Sequence, residues 1–217
     1  MDSDCESINM ILRMFFPALS NHAKRFTSNT FCAWVSVALA AGALTLTPPA
    51  TAAPNDFNLD NKSDLVLSNA NGLVDLLLMN GTTVASRTTL LNTPGWAISH
   101  LADFNGDGKT DILWRNVDGS VTVWLMDGAN VLQAVGLLGA DPNWSVSHVG
   151  DFNGDGKADI LWRNTNGAVT VWHMNGATVT TATGLLGASP DWRVSHVADF
   201  NGDKNADLLW RDRRAHV

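Results

Sequence analysis

The strongest constraint on this chain is an internal repeat of about 48 residues. The segment DFNGDGK begins at Asp103 and recurs in full at Asp151, and its first five residues appear again at Asp199. A weaker copy, DFNLD, begins at Asp56. Repeated units bury their apolar faces by stacking on one another, so the repeat decides the architecture. Aromatic and histidine positions follow the same phase: Trp96, Trp144, Trp192, Trp114, Trp162, Trp210, His100, His148 and His196.

Each repeat has the pattern of four short strands separated by tight turns. In the best copy, the predicted strands cover residues 144–149, 159–163, 168–174 and 178–185. Asn-Gly or Asp-Gly pairs occupy the two later turns of each copy, and such pairs favour type I′ hairpins, in which both central residues adopt positive φ. The pattern therefore predicts antiparallel four-stranded sheets.

Both faces of these strands are apolar, which indicates that each sheet is covered on both sides. In the strand 121–126, Val121, Val123 and Leu125 alternate with Thr122, Trp124 and Met126. We therefore predict an all-β fold, a β-propeller segment of about three and a half four-stranded blades. A β-solenoid is the main alternative, although its repeat is usually shorter. The predicted repeat region is 53–217, with repeats starting near residues 56, 103, 151 and 199.

Each repeat also carries an acidic loop that offers oxygen atoms at its positions 1, 3, 5, 7 and 9, with position 7 contributing a backbone carbonyl. Calcium takes about six to eight oxygen ligands in flexible geometry, so five protein ligands and water suffice. The candidate ligands of the second and third loops are Asp103, Asn105, Asp107, Lys109 and Asp111, and Asp151, Asn153, Asp155, Lys157 and Asp159. Those of the first and fourth loops are Asp56, Asn58, Asp60, Lys62 and Asp64, and Asp199, Asn201, Asp203, Asn205 and Asp207.

Position 6 of the loop separates strong from weak candidate sites, because a tight loop needs a residue that tolerates positive φ there. Gly108 and Gly156 meet this need in the second and third loops, whereas Asn61 and Lys204 occupy it in the first and fourth. We predict two strong calcium sites and two weaker ones, the fourth being weakest. Metal-free polar turns are the alternative. An EF-hand or a dockerin would require an acidic residue at position 12, where this chain has leucine or tryptophan.

The first 52 residues have the composition of a secretory signal. Basic residues precede an apolar run over 31–46, and small residues lead to a cleavage site near Ala52. The run is shorter than the ~20 apolar residues of a spanning helix, so we expect a secreted chain, 53–217, without a membrane segment. An uncleaved anchor is the alternative. The candidate start residues are Met1, Met10 and Met14.

The expected secreted part is acidic and free of cysteine. It contains 18 Asp, no Glu and 11 Lys plus Arg, and Cys5 and Cys32 both precede the cleavage site. Disulfides therefore do not stabilise it, and its acidity argues against nucleic acid as a partner. Twelve of the aspartates lie in the four loops, which indicates that the acidity serves cation binding.

The loop and the strand that follows it, DFNGDGK-x-DILWR, resemble the FG-GAP and VCBS repeats of secreted bacterial proteins. They are also similar to the calcium loops of integrin α-subunit propellers and of fungal propeller lectins. The resemblance implies a propeller with calcium at the loop between the first two strands of each blade, and a role in adhesion or recognition. Full propellers of the resembling family usually have about seven blades, so a truncated reading frame and a homodimer that closes one ring are both open.

We expect a binding module and not an enzyme. The pair Ser147-His148, near Asp151, resembles a catalytic arrangement, but it occurs three times, whereas an active site is usually unique. We interpret these histidines as structural residues that bond to backbone between blades. His173, which stands where the preceding repeat has Leu125, is interpreted as a tolerated variation.

The expected partner is a glycan or an extracellular protein. Aromatic side chains that follow the inter-repeat loops are candidates to stack on sugar rings. The alternative is a non-catalytic propeller part of a larger secreted enzyme or of a structural surface protein. The candidate ligand-contacting residues are Trp96, Trp144 and Trp192.

Overall fold

The computed structural model describes residues 53–214, so the predicted signal, residues 1–52, lies outside the described residues. The described part is all-β and forms four antiparallel sheets. Within it, no helix is long and apolar enough to cross a membrane.

The sheets follow one another along the chain, and strands adjacent in sequence are adjacent in each sheet. Sheet 1 consists of β1 (Leu65–Ser68), β2 (Leu73–Asn80) and β3 (Thr83–Asn92). Sheet 2 consists of β4 (Trp96–Ala102), β5 (Asp111–Asn116), β6 (Val121–Asp127) and β7 (Asn130–Leu138). Sheet 3 consists of β8 (Trp144–Gly150), β9 (Asp159–Asn164), β10 (Val169–Asn175) and β11 (Thr178–Leu186). Sheet 4 consists of β12 (Trp192–Ala198) and β13 (Asp207–Asp212).

The repeat of about 48 residues thus produces a repeat of sheets, as expected for propeller blades. Sheets 2 and 3 have four strands each, and the predicted strand bounds of sheet 3 differ from the observed ones by one residue at most. β1 occupies the place of the second strand of a complete sheet, since it directly follows an acidic loop as β5 and β9 do.

The predicted type I′ turns are wrong. In both hairpins of sheet 3, the glycine has positive φ and the preceding asparagine does not, with φ of 94° at Gly167 and 61° at Gly176. The register pairs Asn175 with Thr178, so Gly176 is the first central residue of its turn, as in type II′. In the other hairpin, the amide of Gly167 donates to the carbonyl of Asn164 at 2.9 Å, which makes Gly167 the last residue of its turn. The dipeptides located the hairpins correctly, but the asparagine side of each pair keeps ordinary φ.

The core lies between the sheets, which confirms that sheets 2 and 3 are covered on both faces, whereas Leu65 and Leu67 on sheet 1 and Leu209 on sheet 4 are about half exposed. Along β5, Ile112 and Trp114 pack against sheet 1, while Leu113, between them, packs against sheet 3. All three are buried. A third cluster, around Leu161 on β9, fills the space between sheets 3 and 4.

Each acidic loop has a phenylalanine at position 2, and in the first three loops this side chain packs against the core. Phe104 is fully buried against sheet 3, whereas Phe200 of the fourth loop is 57% exposed. The side chain therefore depends on a following sheet for its burial. Positions 2 and 9 of the inner loops thus join the packing between sheets, whereas the tips of the loops, at positions 4 to 6, are exposed.

Candidate functional site

Each acidic loop folds around its first aspartate. In the second loop, the Asp103 carboxylate accepts hydrogen bonds from the amides of Gly106 and Gly108, both at 2.7 Å. Asp151 accepts the corresponding bonds in the third loop, from Gly154 at 2.7 Å and Gly156 at 2.8 Å. The chain therefore wraps its amide groups around one carboxylate, which holds its oxygens at the centre of the loop.

Positions 3 and 5 continue this wrapping. The Asn105 side-chain oxygen accepts from the Asp107 amide at 2.8 Å, and Asp107 accepts from the Lys109 amide at 2.8 Å. These are Asx turns, in which a short side chain bonds backbone two residues on. The predicted alternative of polar turns is thus present in the loop, but the side-chain oxygens of Asn105 and Asp107 accept one bond each and keep a further lone pair that a cation can use.

Two positions of the loop adopt left-handed backbone, not only the one expected. Position 6 has positive φ in every loop, including 60° at Asn61 and 74° at Lys204. Position 4 does as well, and the first loop places Leu59 there at φ 61°. Non-glycine residues in this region cost roughly 1–2 kcal/mol each. The first and fourth loops therefore carry backbone strain that the second and third avoid.

Position 9 fastens the loop to the sheet. The two Asp111 oxygens accept from the amides of Phe104 at 2.9 Å and Met126 at 2.8 Å, and the side chain is buried. Burial raises the pKa of Asp111 to about 6, which these two N–H groups partly offset and the nearby Asp103 and Asp107 carboxylates reinforce. A buried carboxylate with no cationic partner of its own is electrostatically costly.

The donor set of the loops fits a calcium ion in kind. It consists of carboxylate, amide and carbonyl oxygens, which are the ligands that this hard cation prefers. Within residues 53–214, no three carboxylates, imidazoles or thiols are placed to hold a metal by themselves. A cation would therefore depend on the amide oxygen at position 3 and the carbonyl at position 7 as well as on the carboxylates.

The family follows from a match to known repeats. A family description of the FG-GAP-like repeat matches residues 56–114, 103–162 and 151–210, and so covers most of the chain. This chain belongs to the FG-GAP-like repeat family. A comparison with curated proteins found no match. FG-GAP repeats commonly bind calcium and generally form β-propeller binding or adhesion domains.

Backbone hydrogen bonds join each FG-GAP loop to the next. The carbonyls of Asp56, Asp103 and Asp151 accept from position 8 of the following loop, at 2.9, 2.7 and 2.6 Å. The Phe104 carbonyl also accepts from the Gly176 amide of the next sheet at 2.8 Å. Position 1 of one loop is therefore linked to a residue that lies between two candidate ligands of the next. Sequence patterns could not reveal this link because it involves only backbone atoms.

The repeated histidines do not bond as predicted. Their Nδ1 atoms lie beside the hydroxyl of the preceding serine, at 2.9 Å in Ser147-His148, and not beside backbone groups of a neighbouring sheet. Burial, and then the charge of His148, lowers the pKa of His100. His173 is also more than the tolerated variation that the sequence predicted, because its Nδ1 atom contacts the Asp159 carboxylate of the third loop at 2.8 Å.

An aromatic cleft lies at the boundary between sheets 1 and 2. It has a volume of about 240 Å³ and brings Trp96 together with Trp114 and Trp124, two residues that the sequence pattern assigned to the core. The rings of Trp114 and Trp124 are 5.0 Å apart and tilted by 57°. The remaining lining residues are Leu91, Thr93 and Thr122.

The other two candidate tryptophans have different surroundings. Trp144 is half-buried against the cluster between sheets 2 and 3, and Trp192 on sheet 4 is 39% exposed. The nearby pair Trp162 and Trp172 repeats the tilted contact of the cleft at 4.9 Å and 54°. The repeat therefore reproduces the aromatic pairing in sheet 3.

One carboxylate outside the loops is buried within a strand. Asp75 on β2 accepts hydrogen bonds from Arg87 and from the Thr89 hydroxyl, the latter at 2.6 Å. The Thr89 and Arg87 hydrogen bonds, in that order, hold the pKa of Asp75 below its usual range. This carboxylate is thus the buried acceptor of a structural ion pair that joins β2 to β3.

Proposed function

We propose that this chain is a secreted, non-catalytic recognition module that calcium stabilises and that binds carbohydrate in the aromatic cleft between sheets 1 and 2. The observation that carries the proposal is the cleft itself, in which Trp96 lies beside the paired indoles of Trp114 and Trp124. Sugar rings present C–H groups that pack on aromatic faces, and their hydroxyls need polar partners. Thr93 and Thr122 supply such partners beside the indoles.

The size of the cleft supports a small ligand. Pockets for drug-sized molecules have volumes of about 300–1,000 Å³, whereas this one has about 240 Å³. A single sugar ring, presented at the end of a glycan, is therefore the expected occupant. The position of the cleft between two sheets lets side chains from both sheets contact one ligand.

Three features support calcium as the stabilising ion. The loops contain the oxygen types that calcium prefers, the Asp111 carboxylate is buried with only backbone N–H groups as hydrogen-bond partners, and through it the loop is joined to the sheet. A cation there would offset the repulsion among Asp103, Asp107 and Asp111 that acts on this carboxylate. Because the protein binds the cation only when folded, calcium should raise its stability by mass action.

A non-catalytic role is supported by the surroundings of the titratable residues. Asp75 is paired with Arg87, and His148 contacts a neighbouring serine in an arrangement that other repeats also contain. A general base needs a reachable substrate proton and a poised lone pair. The ion pair of Asp75 and the repetition of the Ser-His pair both favour structural roles.

The experiment is a glycan array probed with the chain in calcium and again in chelator, followed by titration of the best glycan. Trp96→Leu should weaken binding by more than about tenfold, because it removes a stacking surface. Thr122→Val should weaken it by about fivefold through the lost hydroxyl. Trp192→Leu is the matched control at the same repeat position and should leave the affinity unchanged.

The outcomes separate the parts of the proposal. A folded chain that binds no glycan would refute carbohydrate recognition, and capture of an extracellular protein that survives Trp96→Leu would assign the module to protein adhesion. Calorimetric titration with calcium tests the cation directly. Absence of heat and of thermal stabilisation by calcium would refute that part alone.

A further inference from the structure

The second and third acidic loops are nearly identical in sequence but have different neighbours. They differ only at position 8, which is Thr110 in one and Ala158 in the other. On the adjacent strand, however, sheet 2 has Leu125 where sheet 3 has His173. The His173 Nδ1 atom lies 2.8 Å from Oδ2 of Asp159, the position-9 aspartate of the third loop.

The direction of this hydrogen bond follows from the two groups. The carboxylate form that would bind a cation can only accept, so in that form Nδ1 carries the proton and donates it to Asp159. The Asp159 side chain is fully buried, and the side chain of His173 is only 21% exposed. Water therefore competes weakly for this contact, and the imidazole is a lasting neighbour of the carboxylate.

The contact changes the lone pairs that remain for a cation. Oδ2 of Asp159 also accepts from the Phe152 amide, at 3.1 Å, and Oδ1 accepts from the Met174 amide at 2.8 Å. A carboxylate has about two acceptor sites on each oxygen. Both sites of Oδ2 are thus used in Asp159, whereas the corresponding oxygen of Asp111 accepts one bond, from Phe104 at 2.9 Å.

The imidazole is not needed to position the carboxylate. Asp64 and Asp111 are held by the same two kinds of backbone amide, at 2.8 and 2.9 Å, without any histidine. The remaining effect of His173 is to withdraw negative charge from Asp159 and to occupy one of its lone pairs. Both changes reduce the attraction for a divalent cation.

We propose that His173 lowers the calcium affinity of the third loop and so makes it a weaker calcium site than the second. The inference rests on the proposed calcium binding. It replaces the expectation of two equivalent strong sites with an order in which the second loop fills before the third. The difference between Leu125 in sheet 2 and His173 in sheet 3 then has an effect on the calcium affinity of the neighbouring loop.

The test exchanges the two residues in the whole chain. In ¹⁵N spectra, the amides of Gly108 and Gly156 report on the second and third loops separately during a calcium titration. His173→Leu should tighten the third loop by about three- to tenfold and leave the Gly108 transition unchanged. His173→Gln retains an N–H donor and should keep the affinity of the third loop low.

The reciprocal variant Leu125→His should weaken the second loop by a similar factor. Because Leu125 is buried, unfolding of this variant is checked by the dispersion of the spectrum, and the two His173 variants suffice if it fails to fold. Equal wild-type affinities for the two loops, or a weaker third loop in His173→Leu, would overturn the inference. Calcium binding at neither glycine would instead overturn the proposed function from which it starts.

Discussion

Replacing Lys204 by glycine should strengthen the fourth loop. Lys204 has φ of 74° at position 6, a conformation that costs a non-glycine residue roughly 1–2 kcal/mol. Glycine removes this strain but adds freedom to the unfolded chain worth about 0.4–1 kcal/mol. The net gain is about 1 kcal/mol, or roughly a fivefold change in an equilibrium constant.

The structure provides a matched reverse substitution, Gly156→Lys in the third loop. Gly156 has φ of 81°, and a Cβ built on it meets no atom within 4 Å. Its substitution therefore tests backbone strain without a steric contribution. Gly108 would be a poorer choice, since its Cβ would lie 3.1 Å from Leu59.

The assay is chemical denaturation in chelator, followed by calcium titration of each variant. Lys204→Gly should raise the free energy of unfolding by about 1 kcal/mol or, where calcium orders the loop, increase the calcium affinity about fivefold. Gly156→Lys should do the opposite by a similar amount. If both variants match the wild type in stability and in calcium affinity, the argument from left-handed backbone is refuted.

Three further predictions concern the loops and the inner strands. Asp111→Asn should destabilise the chain in chelator by about 1–3 kcal/mol, because an amide nitrogen replaces a buried acceptor, whereas Asp107→Asn should alter only calcium affinity; urea denaturation separates the two. Gly154→Ala should perturb the fourth loop as well as the third, since the added Cβ would lie 2.2 Å from the Asn205 side-chain oxygen of the fourth loop. Gly156→Ala should affect the third loop alone, and chemical shifts of the two loops distinguish these outcomes. The lowered pKa of His100 means that the folded state disfavours its proton, so the stability it contributes is present above its unfolded pKa and is lost as the pH falls from there through the lower folded pKa. His100→Gln should therefore make the melting temperature in chelator depend less steeply on pH between pH 7 and 5. An unchanged slope of melting temperature against pH would contradict this.

The sequence pattern was sufficient for the architecture but not for the local backbone. Phase-matched apolar residues located the strands. The apolar character of both faces of β6 predicted a sheet covered on both sides, and the apolar clusters around Leu113 on one face and Trp114 on the other confirm this for sheet 2. The turn class was wrong because an Asn-Gly pair fits several hairpins, and the register of the flanking strands decides which residue is central. The left-handed backbone at Leu59 was missed because leucine gives no signal for that conformation.

The candidate site was predictable in part for a similar reason. Oxygen spacing along the loop is a property of sequence, so the oxygen-bearing residues of the loop could be named. The cleft required knowledge of which neighbours meet: Trp114 and Trp124 look like core residues in any single repeat, and they line a cavity only where sheet 1 ends beside sheet 2. The contact of His173 with Asp159 likewise joins residues 14 positions apart through the pairing of β9 and β10.

The wrapping of each loop explains why its positions 1 and 5 are aspartate, in a region, residues 53–217, that contains 18 aspartates and no glutamate. The carboxylate at position 1 accepts hydrogen bonds from the amides three and five residues on, and the carboxylate at position 5 accepts one from the amide two residues on. Such local contacts require a short side chain, since one more methylene group moves the carboxylate past these amides. A cation alone does not impose this choice, because glutamate is also a good calcium ligand. The composition therefore reflects the need of the loop to fold around its own carboxylates, and Asp103→Glu should disorder the second loop even in chelator, which loss of protection of the Gly108 amide in hydrogen exchange would reveal.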